Sequence, residues 1–290
     1  MKSFLLRLVR KFNFLFPDKL YLQICFYLVM GRKLDLRNPV TMNEKMQWLK
    51  LYNRQPEYTR MVDKILVKEY MGNILGEDYI VPLLGVWDSP DEIDFSKLPK
   101  QFVLKTNHSG GNMGVVVVKD KRLLDIEITK KRLKASLKSD IYARHREWPY
   151  KNIKKKVFAE AYLGDDLSDY KFYCFNGYVD SVLVCVDRQI GDTKFYFFDK
   201  DWHLMRYTKR SLEAPEDFTL PKPECFDEMF ELASKLSQGF PFIRVDFYNI
   251  NGRIYFGEVT FFPSSGFDCN RLPESDLHFG QMIDLNMCKK

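Results

Sequence analysis

The sequence predicts an α+β fold with two intimate lobes behind an N-terminal helical extension, and three observations carry that prediction. A long helical region at 41–72 comes first. Two groups of short strand-like runs follow, at 79–118 and 156–198, with a further pair at 242–260 after one more helix. No extended Gly/Ser linker sets either group apart as an independent domain. A chain of 290 residues is long enough for one large unit or two closely joined lobes. The boundary is expected near residue 37, with 1–37 as a basic, apolar helical extension and 38–290 as the main region.

Within the extension, Phe4–Met30 is rich in apolar residues but is interrupted by Arg7, Arg10, Lys11, Asp18 and Lys19. Its longest nearly apolar stretch, Leu20–Met30, is well short of the roughly 20 residues a spanning helix needs, and no convincing secretion signal is present. A basic, aromatic amphipathic element of this kind either rests on a membrane surface or packs on the main fold.

The helical region begins at Thr41, with Glu44 three residues later as its reciprocal capping partner. Pro56 should divide it into two helices. Tyr79–Trp87 is the first strand signal, and Phe102–Lys105 and Gly114–Val118 flank the polar loop Thr106–Met113. Residues 127–140 carry apolar groups at helical spacing. Lys156–Ala161, Asp169–Phe175, Tyr178–Val186 and Thr193–Phe198 read as strands, with Asn176–Gly177 as a tight turn. Residues 207–224 read as a polar excursion and 225–238 as a helix. Phe242–Tyr248 and Arg253–Thr260 form the last strand pair across Asn249–Gly252.

Hydrophobic residues at 46% and charged residues at 29% suit a folded protein and exclude wholesale disorder. The formal charge of +6, from 45 Lys and Arg against 39 Asp and Glu, favours anionic partners. No nucleic-acid module accompanies it, and the run Lys154–Lys156 is too short to form a groove pattern, so no nucleic-acid partner is expected. Six scattered cysteines show neither zinc spacing nor a disulfide framework. His108, His145, His203 and His278 make no zinc motif, and Ser109, Ser264 and Ser265 lack the setting of an activated nucleophile.

Two segments do suggest chemistry. In the first, Lys105 ends an apolar strand and runs into Thr106-Asn107-His108-Ser109-Gly110-Gly111-Asn112-Met113-Gly114. A lysine there can neutralise phosphate, while glycines let backbone donors approach anionic oxygens. The segment is neither a P-loop nor a dinucleotide fingerprint, and an ordinary β-turn is the alternative. In the second, antiparallel pairing across Gly252 brings Asp246 and Glu258 to one end of a sheet. Two hard oxygen ligands could hold magnesium there, with Arg244 pairing with one acid or holding a transferring phosphoryl group. A surface salt bridge is the alternative for each acid.

Taken in order, Met42-Asn43-Glu44-Lys45, Phe102-Val103-Leu104-Lys105, Asn107-His108-Ser109-Gly110-Gly111, Asp169-Tyr170-Lys171-Phe172 and Glu258-Val259-Thr260-Phe261-Phe262-Pro263-Ser264-Ser265-Gly266-Phe267 resemble the TupA-like branch of the ATP-grasp superfamily. The resemblance runs from about Asn38 to Leu285 and is associated with bacterial surface-polysaccharide biosynthesis. It implies an ATP-grasp fold that holds MgATP between two α+β lobes. It also implies a reaction in which a carboxylate is phosphorylated and its acyl group passed to an amine.

Carried over by resemblance, Lys105 is the phosphate-binding lysine, Ser109, Gly110, Gly111, Asn112 and Gly114 belong to the loop over the triphosphate, and Lys64 is the earlier nucleotide-contacting lysine. Glu160 and Leu163 lie beside the adenine pocket, and Asp169 contacts the ribose or pairs with Lys171. Asp246 and Glu258 are the magnesium ligands. Thr260 departs from the asparagine usual two residues past the last glutamate, which leaves either a weak metal contact or a loop-orienting hydrogen bond. Lys105 and Arg244 would stabilise the transferring phosphoryl group. The implied partners are a carboxylate-bearing sugar or glycan intermediate and an amine, on the cytoplasmic side, with either the inner membrane face or a biosynthetic complex as a further contact. A polysaccharide glycosyltransferase and a non-catalytic nucleotide-binding assembly protein are the alternatives.

Overall fold

A computed structural model describes residues 1–111, 113–165, 168–186 and 193–288. The chain divides into two compact units: Met1–Arg54 with Ala143–Trp148 and Ser168–Lys290, and Gln55–Tyr142 with Pro149–Leu167. In chain order the elements are α1 (Lys2–Lys11), α2 (Asp18–Met30), α3 (Met42–Tyr52), α4 (Pro56–Val62), α5 (Leu66–Leu75), β1 (Leu83–Trp87), β2 (Phe102–Thr106), β3 (Val115–Val118), α6 (Ile126–Leu137) and α7 (Ile141–His145). They continue with β4 (Val157–Ala161), β5 (Ser168–Phe175), β6 (Tyr178–Val186), β7 (Lys194–Phe198), β8 (Leu204–Met205), α8 (Lys209–Leu212), α9 (Phe226–Leu236), β9 (Ile243–Ile250), β10 (Arg253–Thr260) and α10 (Pro273–Met282).

The unit built on Gln55–Tyr142 carries a four-stranded antiparallel sheet in the order β1-β4-β2-β3. Phe102, Leu104, Val157 and Ala159 bury one face of it against Ile93, Phe95 and Leu133 of α6. The helical stretch that opens this unit breaks once more than Pro56 alone predicts. The Asp63 side chain accepts from the backbone N–H groups of Ile65 at 2.9 Å and Leu66 at 3.3 Å, a local bond that competes with the helix ladder and separates α4 from α5. The first strand is shorter than expected and starts at Leu83, because Glu77–Tyr79 turns as a 3-10 helix and Pro82 has no N–H to give a ladder.

The unit that includes both termini is organised on a six-stranded antiparallel sheet, β10-β9-β5-β6-β7-β8. Its β5–β6 hairpin turns through Asn176 and Gly177, both at positive φ. The last hairpin turns through Asn251 and Gly252, with β9 running on to Ile250, two residues beyond the expected end. One face of the sheet is aromatic: Phe172 lies 6.0 Å from Phe226 of α9 and 5.9 Å from Phe247, ring centre to ring centre. The period-2 alternation of side chains leaves the polar residues of β5 and β9 on the other face.

The helix at Thr41 has the expected capping box, and Arg32 reinforces it by pairing with Glu44 and donating to Thr41 Oγ1 at 2.9 Å. Helix α10 was not anticipated. It packs on α3, where Asp276 accepts from the Asn43 N–H at 3.0 Å. Helix α2 buries Tyr21, Leu22, Cys25 and Phe26 against Leu34. Among the described residues no helix is long and apolar enough to cross a membrane. All six cysteines are free thiols.

Candidate functional site

The residues singled out from the sequence fall into two groups, one in each unit. In the β1-β4-β2-β3 unit, Glu160 of β4 lies opposite Val103 and diagonally across from Lys105 of β2. Its buried carboxylate pairs with Lys105 and, at 3.0 Å, with Lys68 of α5. Lys68 also donates to the Val81 carbonyl at 2.8 Å. Burial alone would raise the Glu160 carboxyl, but Lys105 and Lys68 override it and hold the group below its usual range. Burial pushes Lys68 down, and Glu160 opposes that shift.

Lys64 is held beside the loop that follows β2. Its N–H donates to the Asn107 carbonyl at 3.0 Å and its ammonium to the Ser109 carbonyl at 2.8 Å. Asn107 pins the base of the loop, donating to Asp63 at 2.8 Å and to the Lys154 carbonyl at 3.0 Å while accepting from the Lys156 N–H at 2.8 Å. The Ser109 hydroxyl is turned inward, 2.8 Å from Thr106 Oγ1, whereas Gly110 and Gly111 are exposed. Gly114 closes the loop at φ +74, and a Cβ there would lie 2.2 Å from Ser136 Oγ and 2.6 Å from Thr106 Oγ1, so only glycine fits. Asn112 lies outside the described residues. Leu163 is partly buried in the irregular stretch after β4.

The second group lies across β5, β9 and β10. Lys171, Asp246 and Glu258 are register partners on three neighbouring strands. Strict alternation would put Glu258 on the same face as Phe256, two residues before it. Instead, Phe256 pairs with Phe247 and Glu258 with Asp246, so Gly257 is an extra residue in the ladder. This bulge turns Glu258 to the polar face. A Cβ on Gly257 would meet the Asp246 carbonyl oxygen at 3.1 Å and the Tyr248 ring at 3.2 Å.

Arg244 grips both oxygens of buried Asp246, at 2.7 Å each, and reaches Glu258 at 3.4 Å. Lys171 bridges Asp246 at 2.5 Å and Asp169 at 2.7 Å. Burial works against charge on Arg244 and Lys171, yet Asp246 raises both. Burial pushes the Asp246 carboxyl up, and Arg244 and Lys171 pull it down. Three carboxylates face two cations, which leaves a formal charge of −1 on this network. Thr260 is the register partner of Arg244.

Among the described residues, no three or more His, Cys, Asp or Glu side chains are grouped to hold a metal by themselves. Magnesium characteristically takes one or two carboxylates and completes its shell with phosphate and water. The half-exposed Glu258 beside Asp246 therefore has the donor chemistry magnesium needs.

Sequence reasoning missed Lys68 and the position of Lys171 at the centre of the polar face. Lys68 follows Lys64 by four residues across the break between α4 and α5, and Lys171 follows Asp169 at strand spacing, so only the second carried a periodic signal. Gly257 inside a strand was likewise a bulge signal.

A family model described as TupA-like ATP-grasp matches residues 44–284, and the chain belongs to the TupA-like ATP-grasp family. No curated protein matches it. Among solved structures, it is similar to the D-alanine–D-alanine ligase of Helicobacter pylori, at 17% identity over 85% of this chain and 70% of that one with a TM-score of 0.43. It is similar to the Bacillus anthracis D-alanine–D-alanine ligase complexed with ATP, at 14% identity over 85% and 68% with a TM-score of 0.47. The Vibrio cholerae D-alanyl-alanine synthetase A matches at 15% identity over 85% and 71%, with a TM-score of 0.45.

Proposed function

We propose that this ATP-grasp enzyme is an ATP- and magnesium-dependent carboxylate–amine ligase that acts on a carboxylate-bearing sugar or glycan intermediate in bacterial surface-polysaccharide modification. The observation that carries the reading is the pairing of Asp246 with Glu258, aimed by the Gly257 bulge and braced by Arg244, in a chain of this family. Lys105, Lys64 and the backbone of Ser109–Gly114, Asn112 included, bind the triphosphate. Glu160 keeps Lys68 and Lys105 in place, and with Leu163 it borders the adenine. Asp169 contacts the ribose while fixing Lys171. Asp246 and Glu258 hold magnesium, with Thr260 as an outer contact.

Magnesium, when bound, supplies charge neutralisation on the phosphates. In the first step, an oxygen of the substrate carboxylate attacks the terminal phosphorus, the bond to the bridging oxygen breaks, and ADP leaves with the electron pair. Lys105 and Arg244 stabilise the charge spread over the transferring group. The amine then adds to the acyl carbon, inorganic phosphate departs, and the amine loses a proton as the amide forms. An enzyme with these substrates works on the cytoplasmic side.

A MgATP turnover screen of carboxylated sugars and amino acids, with mass detection of ADP and coupled product, tests the proposal. Carboxylate-dependent ADP with an equivalent amount of amide supports it. Turnover of a sugar donor without ATP cleavage would instead make the chain a glycosyltransferase. MgATP binding with no carboxylate-dependent ADP would make it a non-catalytic assembly protein.

A further inference from the structure

Helix α1 and the turn after it present an apolar surface that the fold leaves uncovered. No residue of α1 is buried, and only Leu6, Val9 and Phe16 lean on the cluster around Tyr21 and Phe26. At about 100° per residue, Phe4, Leu8 and Phe12 share one arc, with Leu5 at its border towards Val9, and all four are exposed, Phe4 at 61%. Phe14 at 75% and Leu15 at 65% exposure extend this surface, with the Phe12 and Phe14 rings 6.5 Å apart. A contiguous apolar stripe of this kind marks an interaction site.

Charge identifies the partner. Residues 1–17 contain Lys2, Arg7, Arg10 and Lys11 and no acid. Arg7 and Lys11 fall along the edge of the stripe opposite Val9, where they would meet anionic headgroups as the apolar residues enter the interface. The nearest acid in sequence, Asp18, is already paired with Arg54 at 2.6 Å and Arg146 at 3.0 Å, so it does not cancel that edge. A protein partner of mixed charge would not favour an apolar stripe edged by Arg7 and Lys11 with no acid in residues 1–17, whereas an anionic bilayer surface would.

We infer that residues 1–15 form an in-plane anchor that docks the enzyme on an anionic lipid surface through Phe4, Leu8, Phe12 and Phe14, with Arg7 and Lys11 at the headgroups. This inference stands apart from the ligase reading, because docking is measured without turnover.

The test is flotation of the full chain with vesicles of phosphatidylcholine alone and of phosphatidylcholine with roughly 30% phosphatidylglycerol, at roughly 0.15 M salt. The wild-type chain should float with the anionic vesicles and remain below with the neutral ones. Arg7→Gln with Lys11→Gln should lower partitioning roughly 30-fold, about 5-fold per charge. Phe4→Ser with Leu8→Ser and Phe12→Ser should abolish flotation with no change in Tm, since none of these residues is buried. Failure of the wild-type chain to float with either vesicle overturns the inference, as does equal flotation of the apolar variant. A concentration-dependent dimer that the apolar variant lacks, without flotation of the wild type, would assign the stripe to a second copy of the chain instead.

Discussion

Replacing Glu160 by glutamine should destabilise the enzyme more than it alters the shape of any pocket. The side chain is 7% exposed, between Lys68 at 11% and Lys105 at 18%. Glutamine keeps the size and can still accept a hydrogen bond, but it leaves two ammonium groups without a counter-charge. The Lys68 contact alone, at 3.0 Å, corresponds to about 5 kcal/mol of gross attraction at an effective dielectric of about 20. Relaxation and water recover part of this, and removing one partner of a buried ion pair typically costs about 3–5 kcal/mol. For a chain of 290 residues the expected drop in Tm is roughly 5–8 °C.

Thermal unfolding followed by circular dichroism, alongside nucleotide titration, measures both consequences. Lys68→Met combined with Glu160→Gln should recover part of the loss, because it removes the stranded cation along with the carboxylate. A Glu160→Gln variant whose Tm stays within about 2 °C of wild type while nucleotide affinity collapses would refute the reasoning. That outcome would make Glu160 a direct reader of the base and not the counter-ion of two lysines.

Lys105→Ala should weaken MgATP binding roughly 10- to 100-fold through loss of a charged hydrogen bond, with a smaller fall in Tm than Glu160→Gln because Lys68 stays on Glu160; calorimetric titration checks it. Glu258 is 34% exposed and 3.4 Å from Arg244, a solvent-screened pair, so Glu258→Gln should change stability by about 1 kcal/mol yet sharply reduce ADP formation, which excess magnesium restores in part. Normal turnover with normal magnesium dependence in that variant would remove Glu258 from the metal site. Gly257→Val, which places atoms against the Asp246 carbonyl and the Tyr248 ring, should cost about 1–3 kcal/mol of stability and reduce turnover as Glu258→Gln does; full turnover would show that the bulge does not aim Glu258.

Local chemistry made much of the fold readable. The Thr41–Glu44 capping box, the Asn176–Gly177 turn and the alternating strands around them are each set within a few residues. What escaped the sequence depends on distant partners or on a break in periodicity. Asp63 ends a helix with its own side chain, but it also anchors Asn107 far along the chain, a link no local pattern reveals. Lys68 looks like one surface lysine among many until β4 brings Glu160 to it. Asp246 and Glu258 were legible as a pair because a hairpin joins them. The reason they share a face was not, since simple alternation from Phe256 points Glu258 the wrong way and only the extra residue at Gly257 corrects it.

The two polar groups carry opposite charge imbalances. Around the loop after β2, Lys64, Lys68 and Lys105 stand against the carboxylates of Glu160 and Asp63, a formal excess of one positive charge that suits phosphate oxygens. On β5, β9 and β10, Asp169, Asp246 and Glu258 exceed Lys171 and Arg244 by one negative charge, which suits a cation. Burial makes each imbalance count, because a charge that water does not screen must find its complement in the protein or in the ligand. Asp246 is satisfied by Arg244 and Lys171 and is therefore stable without metal. Glu258 is more exposed than Asp246, at 34% against 1%, and is the more open of the two to an incoming ion. If the proposed magnesium site is correct, metal affinity should therefore be set more by Glu258 than by Asp246, which is engaged with Arg244 and Lys171.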